Sequence, residues 1–269
     1  MASNIKKNNQ YYGKYRECCV VACLNDSPVE YFEKYIFSQE EKDDLYQDGK
    51  IIADYLGDHK ATYSGNHTAT AAGDIILDNG ETIELKCISA GTGTYFNTSI
   101  YYFQKFGFNF KDYMEKYGFY QLLENNFGKI FKINRKNNSP ISQPNSSAIR
   151  HNYIDIYNEI IVPADKRIRE YFVKDLVKYF MAHTDKMYEF INDMLNKKTD
   201  TCDKGSPDRL IIYNYSKKKI KEINLRDFFK DGEIIITDKG FKIGNVRFAI
   251  GWQNGNGLNN PTIRVFLED

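Results

Sequence analysis

A chain of 269 residues, 42% apolar and 15% aromatic, can bury a substantial core and is too aromatic for intrinsic disorder. Its formal net charge of +1 excludes a uniformly basic surface but leaves nucleic-acid binding open, since only a cleft lining must be positive. No apolar stretch is long enough for a bilayer, residues 1–16 lack a secretory core, and the five cysteines are odd in number without metal-ligand spacing. A reduced, cytoplasmic setting with no membrane partner is expected.

Residues 1–16 read as a polar, mobile arm. Ser27-Pro28-Val29-Glu30 has the serine cap, early proline and third-position glutamate of a helix start, and Ser38-Gln39-Glu40-Glu41 repeats the capping-box pattern. The second start predicts a helix through Ile51, Ile52, Tyr55 and Leu56, with Gly49 as a point of interruption and Gly57 as its end. Residues 68–86 change to period-two alternation around Asn79-Gly80, the pattern of a hairpin. Residues 89–98, rich in glycine, threonine and serine, predict a shaped loop, and helical patterns resume over 101–127. Residues 134–147 are the most linker-like stretch and predict an exposed loop. Ile168, Phe172, Leu176 and Phe180 recur every fourth residue, so a long amphipathic helix or helix pair follows towards Leu195. Strand patterns close the chain at 210–215, 233–237, 241–252 and 262–267. The expected fold is one α/β domain over residues 1–269, a central mixed sheet flanked by helices.

The chemistry concentrates at Asp74 and at Glu84-Leu85-Lys86. Residues two apart on a strand share a face, so Glu84 and Lys86 project together. The turn decides where Asp74 lies. A two-residue Asn79-Gly80 loop sets Asp74 opposite Leu85. A three-residue loop over 78–80, with Gly80 left-handed, pairs Leu77 with Glu81 and sets Asp74 opposite Glu84. The bulged form is the one expected. Two carboxylates so placed can share a hard divalent cation such as magnesium, and a lysine beside them can orient the water and offset charge in the transition state. Asp74, Glu84 and Lys86 are therefore the candidate catalytic residues, with Asp74 and Glu84 the candidate metal ligands.

This signature resembles the PD-(D/E)xK nuclease superfamily, and within it the type II restriction endonucleases. Asp74 with Glu84-Leu85-Lys86 has the superfamily's spacing, and residues 48–56 are similar to the helix that usually precedes the site. The loop after the lysine, residues 88–99, is similar to the glycine- and threonine-rich loop of several restriction enzymes. Gly251-Trp252-Gln253-Asn254-Gly255-Asn256-Gly257 and the strand behind it are similar to the segment that ends some short-site enzymes. The departures are Gly73 in place of a frequent proline, Asn254 in place of a basic residue, and Asp48 or Asp54 where a helix glutamate is common. The resemblance implies a restriction-endonuclease-like fold and magnesium-dependent hydrolysis of double-stranded DNA at a short specific sequence. It also implies a homodimer, since both strands are cut. Thr94, Asn97 and Thr98 would lie near the DNA backbone. Gln253, Asn254 and Asn256, in a C-terminal strand region spanning 210–269, would read bases, as amides pair bidentately with adenine. The competing readings are a repair or structure-selective nuclease and a non-catalytic DNA-binding protein on the same fold.

Other residues read more plainly. Lys217, Lys218, Lys219 and Lys221 suit a solvated hairpin tip, with phosphate contact the second reading. Cys18, Cys19 and Cys23 suit a core, as does Trp252. His59, His67, His151 and His183 have no zinc-like spacing.

Overall fold

The computed structural model describes residues 9–31, 35–64, 72–91, 93–136, 138–142, 145–199, 204–225, 228–252, 258 and 261–268. In chain order these form α1 (Asn9–Asn25), α2 (Gln39–Leu56), β1 (Ala61–Tyr63), β2 (Ile75–Leu77), β3 (Thr82–Ile88) and β4 (Phe96–Ser99). A 3-10 segment (Ile100–Phe106), α3 (Phe110–Lys116), α4 (Phe119–Phe127), α5 (Asn145–Asn152) and α6 (Ile154–Ile156) follow. A π-helical turn (Tyr157–Ile161) then leads into α7 (Val162–Ala182) and α8 (Thr184–Leu195). The remaining strands are β5 (Arg209–Asn214), β6 (Lys219–Asn224), β7 (Ile234–Ile236), β8 (Gly240–Ile243), β9 (Val246–Trp252) and β10 (Pro261–Leu267).

The chain is mixed α/β and carries two five-stranded sheets, where the sequence leads to one. Its contacts gather into two compact units, one of residues 1–93 with 203–228 and the other of residues 94–202 with 229–269. No helix among the described residues is long and apolar enough to cross a membrane.

The first unit holds the mixed sheet, ordered β1-β2-β3-β5-β6. β3 and β5 run parallel, and the other neighbours are antiparallel. Val20 and Leu24 of α1 and Ile52 and Leu56 of α2 pack with Ile75, Ile83, Leu85, Ile211 and Tyr213 in one core. The alternation along β3 thus commits Ile83 and Leu85 to the helices, which leaves Glu84 and Lys86 for the other face. Ser38 caps α2 as expected: its hydroxyl accepts from Glu41 N–H, and the Glu41 side chain accepts from Ser38 N–H. The helix runs through Gly49 without a break.

Two N-terminal expectations are overturned. Residues 9–16 are not an arm but the first half of α1, because Tyr15 and Cys19 bury against Phe37 and Leu45. Ser27-Pro28-Val29-Glu30 starts no helix, and these residues carry no regular secondary structure. Tyr35 reaches back to stack on Tyr11, and Phe37 meets Tyr12 edge-on and Tyr15 at a tilt, a packing that outweighs the local capping signal.

The second unit holds an antiparallel sheet, ordered β4-β10-β9-β8-β7. Phe180 of α7 and Phe190 of α8 meet Phe241 and Phe248 of that sheet in an aromatic core. The described residues of 134–147 do not form an exposed loop: Asn138, Pro140 and Ile141 are buried and Asn145 begins α5. The segment is tied down by Asn138 N–H donating to the Tyr101 hydroxyl and Ile141 N–H donating to Leu258 O. The second half of the expected loop over 89–98 is strand β4, because Phe96 and Thr98 alternate into the sheet against β10.

Candidate active site

The β2–β3 turn has the bulged form. Gly80 sits at φ +87°, its N–H donates to Leu77 O, and Leu77 N–H donates to Glu81 O. The ladder continues with Ile76 opposite Thr82 and Ile75 opposite Ile83, so the count reaches Asp74 opposite Glu84. Asp74 departs from the regular ladder. Its N–H donates to Ile83 O at 2.7 Å, and its carboxylate accepts from Leu85 N–H at 3.2 Å. These two bonds bracket Glu84. Gly73 makes this possible, because a Cβ there would lie 2.7 Å from Ile83 O. At Gly73 the backbone leaves no room for a side chain.

Glu84 is buried and Lys86 half-buried, and the Lys86 ammonium bonds Glu84 Oε1. Burial alone would pull the Lys86 ammonium down, but Glu84, Asp74 and Glu17 outweigh it and hold it well above its usual range. Glu17, from α1, is the member that sequence reasoning missed. It is buried, accepts from the Tyr63 hydroxyl at 3.1 Å, and senses Asp74, Lys86 and Glu84. Burial pushes its carboxyl up, Asp74 and Glu84 add to the rise, and Lys86 and Tyr63 oppose it, leaving it at about 8. Glu17 lies just past the stretch 1–16 expected to be an arm, in a helix that no cap or periodicity in the sequence announces.

Neither expected helix acid fills that place. Asp54 is exposed. Asp48 is buried, but its carboxylate accepts from Arg16 Nε at 2.7 Å, the Tyr213 hydroxyl at 2.7 Å and Lys218 Nζ at 2.5 Å. Burial would raise its pKa, yet those three bonds together hold it below the usual carboxylate range. Tyr213 packs in the helix-side core with Leu85, on the face turned away from Glu84.

Among the described residues no three acidic, histidine or cysteine side chains converge closely enough to cage a metal. The donor types nevertheless fit a hard divalent cation: Asp74 and Glu84 offer carboxylate oxygens, with the buried Glu17 carboxyl close enough to sense both. No protein-family model, curated protein or solved structure matches the chain.

The remaining candidates are placed as follows. Thr94, Asn97 and Thr98 belong to the second unit, apart from the unit that holds the carboxylates. Asn97 is exposed on β4, Thr94 is half-buried, and Thr98 is buried with an unpartnered hydroxyl. Gln253, Asn254 and Asn256 lie outside the described residues, as do His67 and Cys202. Trp252 is buried and donates from Nε1 to Asp165, a structural anchor. The lysine run divides, with Lys217 and Lys218 in a turn and Lys219 and Lys221 on β6.

Proposed function

We propose that this protein is a magnesium-dependent endonuclease of the PD-(D/E)xK type that hydrolyses duplex DNA at a short specific sequence, acting as a homodimer. The observation that carries this reading is the bracket of Asp74 around Glu84, with Lys86 bonded to that glutamate. Asp74 and Glu84, with Glu17 behind them, would hold the metal, which when bound acidifies a water and neutralises phosphate charge. Lys86 has a separate task. An ammonium held above its usual range keeps its proton at neutral pH, so it donates to the phosphate or to the water and stabilises developing charge. The Leu85 N–H fixes the Asp74 carboxylate, and Tyr63 fixes Glu17, so the acidic groups are positioned before substrate arrives.

Digestion of a plasmid with magnesium, comparing wild type with Glu84→Ala, tests the proposal. Discrete fragments from wild type and none from the variant are expected. A smear would instead assign a nonspecific or structure-selective nuclease. Equal products from both proteins, or no cutting by wild type, would sink the assignment of this site.

A further inference from the structure

At the C-terminal ends of the parallel strands β3 and β5 the first unit contains a cavity of about 410 Å³. Tyr12 and Arg16 of α1, Cys87 of β3, Ser89 and Ala90 just beyond it, and Tyr215 just beyond β5 line this space. Arg16 is 8% exposed, donates from Nε to Asp48, and stacks its guanidinium 4.3 Å from the Tyr215 ring centroid. Its two Nη groups bond no described residue, although Arg16 lines the cavity.

We propose that this cavity binds a phosphate group of a nucleic-acid strand, with the free side of the Arg16 fork as its principal donor.

Charge supports an anion. Asp48 is shared between Arg16 and Lys218, and the other carboxylate beside the lining, Glu41, is engaged by the Tyr12 hydroxyl. Burial pushes the Cys87 thiol up to about 12, so it stays neutral at physiological pH and adds no competing negative charge. A guanidinium held by stacking on one side and a carboxylate on another is preorganised, and its remaining donors match the geometry of phosphate oxygens. The Asp48 bond alone would explain Arg16 as a tie between α1 and α2. It leaves unused the two Nη groups, which bond no described residue, on a side chain that lines the cavity.

Position supports a strand rather than free phosphate. Glu17 follows Arg16 on α1 and Lys86 precedes Cys87 on β3, so the elements that wall the cavity also carry the carboxylate–lysine cluster. Cys87 and Tyr215 pack on the helix side with Leu85, so a strand with one phosphodiester at that cluster would have to pass round the C-terminal ends of β3 and β5 to bring a neighbouring phosphate to the cavity. This step rests on the nuclease reading; the affinity of the cavity for phosphate does not.

The test measures binding in chelator, so that no cutting occurs. Wild type, Ala90→Asp and Arg16→Gln are each titrated with a short DNA duplex and with inorganic phosphate, after circular dichroism confirms folding. Ala90 is exposed on the rim, so its replacement adds a repelling charge without touching the Asp48 network. Ala90→Asp should weaken duplex binding about tenfold or more, the size expected when a charge-assisted hydrogen bond is lost. Arg16→Gln should flatten the dependence of log affinity on log salt by about 0.9, one phosphate contact. Duplex and phosphate binding unchanged in Ala90→Asp overturns the proposal, even if Arg16→Gln fails to fold. An unchanged salt slope in folded Arg16→Gln also overturns it. Binding of inorganic phosphate that responds to Ala90→Asp, with duplex binding unaffected, overturns the assignment to a strand. If the expected binding changes appear but magnesium yields no cleavage, the pocket stands and the nuclease reading falls.

Discussion

Asp74 grips β3 on both sides of Glu84, donating to Ile83 O and accepting from Leu85 N–H. A carboxylate that bonds a strand backbone in this way is fixed by the hairpin's register, not by its own rotamer. The register in turn depends on Gly80 at φ +87°. One turn residue thereby sets the distance between two acids.

Gly80→Val should therefore damage the site more than the fold. A left-handed conformation costs a non-glycine residue roughly 1–2 kcal/mol, and β-branched side chains tolerate it worst. The unfolding free energy read from urea denaturation is expected to fall by that amount. Magnesium-dependent cleavage, measured where the variant is still folded, is expected to fall at least tenfold. Gly80→Asn should retain most of both, since asparagine tolerates this region. Full cleavage by a destabilised Gly80→Val would break the link between turn and site.

Glu17 makes a pH prediction for the metal-free protein. Its folded carboxyl lies at about 8 against an ordinary value of 4.5, so between those values the folded state holds a proton that the unfolded state has lost. Stability from this group is fully present below 4.5, falls as pH rises through the interval, and is gone above about 8. Melting temperature in chelator should decline over that window in wild type and decline less in Glu17→Gln. The difference should reach about ten degrees, at ~1.4 kcal/mol per pH unit crossed and roughly 2–4 °C per kcal/mol. Parallel curves for the two proteins would show that Glu17 is not the titrating group.

Local chemistry made the hairpin legible and long-range packing concealed much else. The three-residue turn, the capped helix from Gln39 to Leu56 and the long helical stretch ending at Leu195 follow from residues close in sequence. The first helix was hidden because Tyr11, Tyr12 and Tyr15 are ordered by Tyr35 and Phe37, some twenty residues away. With it went Glu17. The second sheet was hidden for a related reason: β4 pairs with β10, and nothing near Phe96 announces a partner beyond residue 260. The linker-like composition of 134–147 misled because Ile141 and Asn138 are held by Leu258 and Tyr101.

Lys86→Met should separate binding from chemistry. The side chain keeps much of its apolar bulk and loses its charge. If Lys86 stabilises the transition state, the cleavage rate should fall about 10²–10³-fold, as when a single electrostatic donor is removed elsewhere. Duplex affinity, measured with calcium in place of magnesium, should change by less than about tenfold, the worth of one phosphate contact. Because the ammonium is held above its usual range, the wild-type rate should show no break near neutral pH assignable to this lysine. Cleavage by Lys86→Met at the wild-type rate would remove the residue from the mechanism.

Two aspartates of α2, Asp48 and Asp54, contrast a buried structural acid with an exposed one. Asp48 is buried among Arg16, Tyr213 and Lys218, so Asp48→Ala strands the Arg16 charge and leaves the Tyr213 hydroxyl without its acceptor. Removing one partner of a buried pair costs about 3–5 kcal/mol; exposure of Lys218, 55% at its side chain, places the loss at the lower end. Asp54 is exposed, and Asp54→Ala should lie within about 0.5 kcal/mol of wild type. Urea denaturation reads both. Once folded, neither variant should shift the magnesium concentration that supports half-maximal cleavage, whereas Glu17→Gln should raise it. A magnesium requirement that moves with Asp48 and not with Glu17 would transfer the third acidic position from α1 to α2.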